Sequence, residues 1–162
     1  MKVKTNRQLA FLLQVLTEKI IAYIHSSKDR DFVWKTLKMT SDCLEGKEID
    51  SDLLYSRLEN LDEEDILTYF ELDDVSSSEV WTSIADAVAY ICLLNYEQRG
   101  EIYLPETIEA VDVETVDEFF ENYKECLHLF DSLKNIKEEL LNDERIDLDN
   151  PVVKEKYDFL FS

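Results

Sequence analysis

Glu125 and His128 stand three residues apart in the stretch ECLH, the nearest this 162-residue chain comes to a metal-ligand motif. Helical carboxylate enzymes hold two metal ions with two such Glu-x-x-His pairs and further glutamates. The chain has one pair only, because His25 has Ala22 at the corresponding position. His25 reads as a helix-end residue and His128 as one within a long helix, both structural or surface groups. A hydrolase built on an activated nucleophile needs a base and usually an oxyanion site. No G-x-S-x-G, P-loop or dinucleotide glycine pattern occurs among the two glycines present. The segment from Asp62 to Asp74 lacks the central glycine and alternating ligands of a calcium loop. The expectation is no enzyme and no cofactor. A helical enzyme using carboxylates and a metal is a rival, which metal analysis of the purified chain would decide.

The carboxylates pose a different question. Residues 59–74 read ENLDEEDILTYFELDD, half of them Asp or Glu, with core-forming residues between. The formal net charge is −20 and unevenly placed. Residues 1–50 carry nine basic and seven acidic side chains; from Leu58 to Tyr123 there are nineteen carboxylates and one base, Arg99. Such a field repels nucleic acid and anionic lipid. It attracts basic proteins and speeds encounter with them. Solvation alone is the plain alternative. Some carboxylates have a local use, since Asp62 can cap a short helix and Glu63, Glu64 and Asp65 then meet its positive end. Glu71, Asp73 and Asp74 lie at the negative end and have no such use.

The elements that position these groups read as helices. Two glycines and two prolines in a chain that is 45% hydrophobic argue for long helices and against many tight turns. Apolar stripes at helical spacing predict helices over about Asn6–His25, Arg30–Glu45 (capped by Asp29, with Val33, Trp34, Leu37 and Leu44 inward) and from Asp50 or Ser51 (with Leu53, Leu54 and Leu58 inward). A marginal helix follows over Leu61–Leu72. Ser76-x-x-Glu79 is a capping box before an apolar helix to about Tyr96, predicted to be central. Pro105 opens a short helix, Asp112 caps a long one over about Glu114–Leu141, and Asn150-Pro151 starts the last. The fold class is therefore all-α, a compact bundle of six to eight helices forming one domain over 1–162. Cys43, Cys92 and Cys126 read as buried free thiols of a reducing cytosol. The basic-then-apolar start lacks a cleavage site and reads as a folded first helix.

The order of segments has a likeness. A Leu-rich first helix is followed by VWKTLKMTSDCLEGKEIDSDLLYSRLEN, SEVWTSIADAVAYICLLNYE and LPETIEAVDVE before a long helix. This resembles the all-helical immunity proteins of bacterial polymorphic toxin systems, most closely the family catalogued as the sixth. Leu44, Glu45, Lys47, Leu54, Tyr55, Trp81, Tyr90, Pro105 and Glu106 are the matching positions. The resemblance implies a small cytoplasmic protein that binds and neutralises a toxin made by the same cell, often a nuclease.

Charge and resemblance together predict a partner with a basic surface. The expected binding residues are Asp62, Glu63, Glu64, Asp65, Asp73 and Asp74, with Glu101, Tyr103, Glu106 and Glu109 as a second patch. Neither nucleic acid nor membrane is expected as a partner, and the chain is read as a monomer or homodimer. An acidic adaptor or anti-regulator binding another basic protein is the alternative.

Overall fold

The computed structural model describes residues 5–60 and 64–162, and every regular element of length among them is helical. Nine α-helices follow in order: α1 (Arg7–Ile20), α2 (Ser27–Leu44), α3 (Ser51–Leu58), α4 (Ile66–Leu72), α5 (Ser78–Gln98), α6 (Glu106–Glu109), α7 (Val113–Leu129), α8 (Ile136–Leu141) and α9 (Pro151–Leu160). Short 3₁₀ turns cover Ile21–Tyr23 and Asp131–Leu133. The all-α expectation holds. Among the described residues the helix number exceeds six to eight because the long helix read over Glu114–Leu141 is divided.

That division occurs at Phe130, whose backbone is extended (φ −122°, ψ 104°). Its ring stacks on Tyr23 with centroids 3.9 Å apart. Leaving the helix at this point lets Phe130 meet Tyr23 while Leu133, Ile136 and Leu140 still reach the core.

The predicted central helix is α5. It packs most extensively on α7, and also on α1, α2, α3, α4 and α6. Fourteen of its side chains are buried, from Val80 to Tyr96. Few polar groups interrupt it, and the buried amide among them is satisfied. Asn95 donates to the Ile49 carbonyl at 2.9 Å and to Ser51 Oγ at 2.8 Å, and accepts from Cys43 Sγ. One buried amide thus ties the α2–α3 connector onto α5. Across α1, Gln14 donates to the Leu37 carbonyl and Tyr123 to that of Leu16. Arg145 makes a two-pronged contact with Glu18 and another with Asp143, fixing the turn after α8 against α1.

Several caps differ from expectation by a few residues. Ser26, rather than Asp29, caps α2, and Ser77, rather than Ser76, caps α5. Asp112 and Asn150 cap as read, Asn6 caps α1 and Asp50 caps α3 just ahead of Ser51, and Gly46 ends α2 in the left-handed region at φ +88°. Trp34 and Leu53, read as inward, are 46% and 57% exposed. Phe32 is buried in place of Trp34, with the Arg57 guanidinium 3.7 Å from its ring centre. The three cysteines are buried and unpaired. Among the described residues no helix is long and apolar enough to cross a membrane.

Candidate functional site

The acidic run of 59–74 resolves into carboxylates with different work. Asp62 and Glu63 lie outside the described residues. Asp65 is 3% exposed and caps α4: its carboxylate accepts the Thr68 and Asn60 N–H groups, each at 2.6 Å. Position 65, not 62, therefore starts the helix. Glu64 is exposed and pairs with Lys28 at 2.9 Å. Glu59 accepts hydrogen bonds from Tyr55 and Thr107, linking α3 to α6.

Asp73 differs most from its reading. It has a structural use after all, because the chain turns back after α4. Its Oδ1 accepts the Val75 and Ser76 N–H groups at 2.9 Å, and its Oδ2 accepts the indole N–H of fully buried Trp81. Burial alone would raise its pKa, but the Ser76, Trp81 and Val75 donors outweigh burial and hold the carboxyl well below the usual range. Asp74 and Glu71 remain on the surface.

The second patch is built differently. α5 ends at Gly100 (φ +68°), and the chain crosses to α6 through Glu101, Ile102, Tyr103 and Leu104. Ile102 is 81% and Tyr103 89% exposed, a degree of exposure that apolar groups seldom show as neighbours. Glu101 accepts from Arg99 Nε at 2.8 Å and from Ser51 Oγ at 3.3 Å. Arg99 also reaches Glu48. These contacts bring the α2–α3 connector beside the α5–α6 connector. Asp50 and Asp52, at the start of α3, thereby join Glu48 and Glu101. Glu106 and Glu109 follow on α6, both exposed. The result is a pair of exposed apolar side chains in a connector whose first residue, Glu101, meets the α2–α3 segment.

Glu48, Asp50, Asp52 and Ile102 were not among the residues expected from sequence. Ile102 carried a usable signal, an apolar residue in a connector without helical periodicity. The carboxylates carried none, since their approach depends on Asn95 and Ser51. Tyr103, expected at the binding surface, is exposed, whereas Tyr69 and Tyr96 are buried and Tyr55 is half-buried.

Glu125 and His128 are exposed on α7. Among the described residues no group of three or more His, Cys, Asp or Glu side chains is placed to hold a metal ion. Burial pushes the Cys43 thiol up to about 11 and that of Cys126 to about 12, which keeps both protonated and unreactive at neutral pH.

A family model described as Immunity protein Imm6 matches residues 7–126. The chain belongs to the Imm6 immunity-protein family. The match runs from the first residue of α1 nearly to the end of α7, and so contains both acidic patches and all of α5. Membership implies a protein that binds a cognate toxin and neutralises it. The helical architecture agrees with the all-helical fold expected of Imm6 proteins. No curated protein and no solved structure matches the chain.

Proposed function

We propose that this Imm6 protein is a cytoplasmic, non-enzymatic inhibitor, one domain throughout, that covers a toxin bearing a basic surface, a nuclease being the natural case. The observation that carries the reading is the exposed pair Ile102 and Tyr103 in a connector that begins at Glu101 and leads to Glu106, with Arg99 holding Glu48 and Glu101 together at its start. An aromatic and an aliphatic side chain give an interface its contact area, and the surrounding charge gives it speed and orientation. A nuclease must carry a basic substrate surface, so an acidic cover competes directly with nucleic acid. Glu64 and Asp74 form a lesser flank of the same sign.

Co-expression with the cognate toxin tests the reading. Cells carrying the native chain survive. Cells carrying the chain with Ile102→Ala, Tyr103→Ala and Glu106→Lys, equally folded and abundant, lose protection. Full protection by that variant overturns the assigned surface. Failure of the native chain to protect overturns the inhibitor reading itself.

A further inference from the structure

The break of the long helix at Phe130 turns what would be one rod into two walls, and a groove of about 320 Å³ lies between them and the end of α9. Its floor is apolar. Leu133, Ile136 and Leu160 are buried there, and Leu127 and Phe161 pack partly buried beside them. Its rim is cationic, formed by Lys124 and His128 of α7 and by Lys134 and Lys137 beyond the break. Among the described residues no carboxylate lines it, and Glu125, Asp131 and Glu138, the nearest in sequence, are exposed outside the lining. Six of the described lysines pair with carboxylates. Of the four that do not, three are Lys124, Lys134 and Lys137 of this groove. Lys124 is held instead by the Phe159 carbonyl at 3.1 Å and by Ser162 Oγ at 2.9 Å, 4.7 Å from the Phe159 ring centre. Lys137 stands 5.7 Å from the ring centre of Phe161. In an acidic chain, these lysines meet rings and carbonyls and keep their charge unopposed.

We propose that this groove receives an acidic, apolar segment of the toxin, its apolar side chains on Leu133, Ile136, Leu160 and Phe161 and its carboxylates on Lys124, Lys134 and Lys137. The proposal rests on the reading above in taking a toxin as the partner. Positive charge around an apolar floor is the complement of such a segment. Ammonium groups on flexible stems suit carboxylates whose spacing is not fixed, where guanidinium groups would impose a planar fit. The volume is at the lower end for a small-molecule cleft and suits a few anchoring side chains.

The charge of the whole chain selects this occupant. An anionic membrane offers acidic headgroups on an apolar phase, but a chain of net charge −20 is repelled by it. A second copy carries the same charge and is repelled in the same way. A toxin with a basic surface is drawn toward the acidic part of the chain, while an acidic segment of it is drawn to this groove. Two contacts of opposite sign then fix the toxin's orientation.

NMR titration of the full chain with a short peptide of alternating glutamate pairs and leucine pairs tests the groove. Saturable shifts are expected at the amides of Leu127, His128, Lys134, Lys137 and Phe161. Binding should weaken at least fivefold when the leucines of the peptide become serines, and at least tenfold for the chain with Lys134→Glu and Lys137→Glu, both exposed positions. If that variant does not fold by circular dichroism, Lys134→Gln with Lys137→Gln takes its place with at least a fivefold loss expected. Absent shifts, or equal binding of the serine peptide, overturn the proposal. The toxin itself gives a test of sign. The double Lys→Glu variant is more acidic than the native chain, so bulk attraction of a basic toxin would tighten binding, whereas loss of the groove contact weakens it at least tenfold by calorimetric titration. Unchanged or tighter binding removes the groove alone, and a native chain that does not bind the toxin removes the reading beneath it. Binding of the native chain to phosphatidylserine vesicles, or its dimerisation in sedimentation, abolished by the same variant, would give the groove to lipid or to a second copy and overturn the toxin segment as its occupant.

Discussion

The indole N–H of Trp81 donates to the Asp73 carboxylate across 2.9 Å, joining the turn after α4 to the first turn of α5. A carboxylate in the most acidic part of the chain is thus a structural acceptor for the largest buried side chain. The like charge of this segment is partly offset by such hydrogen bonds, and by the cap at Asp65.

Asp73→Ala should therefore lower stability by about 2 kcal/mol, the range for hydrogen bonds to a charged group with a buried donor left behind. The pH dependence has a definite sign. The Asp73 pKa is held down in the folded chain, so its stabilisation is complete above the unfolded value of about 4 and fades as pH falls below it. Urea denaturation at pH 7 and pH 3 should show the variant deficit shrinking at the lower pH. An equal deficit at both would contradict the assignment.

Asp86 should behave in the opposite sense. Its folded pKa, raised to about 9 by burial and by the Glu118 carboxyl, makes its contribution complete below pH 4 and progressively lost as pH rises toward 9. Asp86→Asn should match the native chain in mild acid and exceed it by about 2 kcal/mol at pH 9, where a buried carboxylate would otherwise stand charged and unpaired. Thermal melts from pH 5 to 9.5 would reveal the divergence; parallel curves would refute it.

Ile102→Ala with Tyr103→Ala removes two side chains that touch little of the folded chain. Stability should change by less than about 0.5 kcal/mol. Affinity for the toxin should fall at least tenfold, about 1.4 kcal/mol, if these are the central contacts. Calorimetric binding beside a thermal melt separates the two effects. A destabilised variant with unchanged affinity would place the contact elsewhere.

Charge reversal at Glu48→Lys and Glu106→Lys should act on encounter more than on residence. The association rate at low salt should drop about tenfold, with dissociation little altered, and the salt dependence of association should flatten. Stopped-flow mixing at two ionic strengths reads both quantities. A salt-independent native rate would reduce the acidic surface to solvation.

Much of this was legible in residue order. Helical periodicity, scarce glycine and proline, and side-chain caps such as Asn6, Asp50, Asp112 and Asn150 determine an all-α chain with α5 at its centre, because these are local effects of spacing and hydrogen bonding. The uneven charge is composition alone. Orientation within a helix was less legible. Phe32, Val33 and Trp34 are consecutive apolar residues, and only the packing of α2 on its neighbours chose Phe32 and Val33 for burial. Phe130 leaves its helix for a ring more than a hundred residues earlier, which no local pattern encodes. The candidate sites divide in the same way. The expectation of a basic partner comes from composition alone. Which carboxylates are caps, that Glu101 meets the α2–α3 segment, and that Asp86 meets Glu118 depend on approaches between distant segments, where burial decides whether a carboxylate is solvated, hydrogen-bonded or protonated.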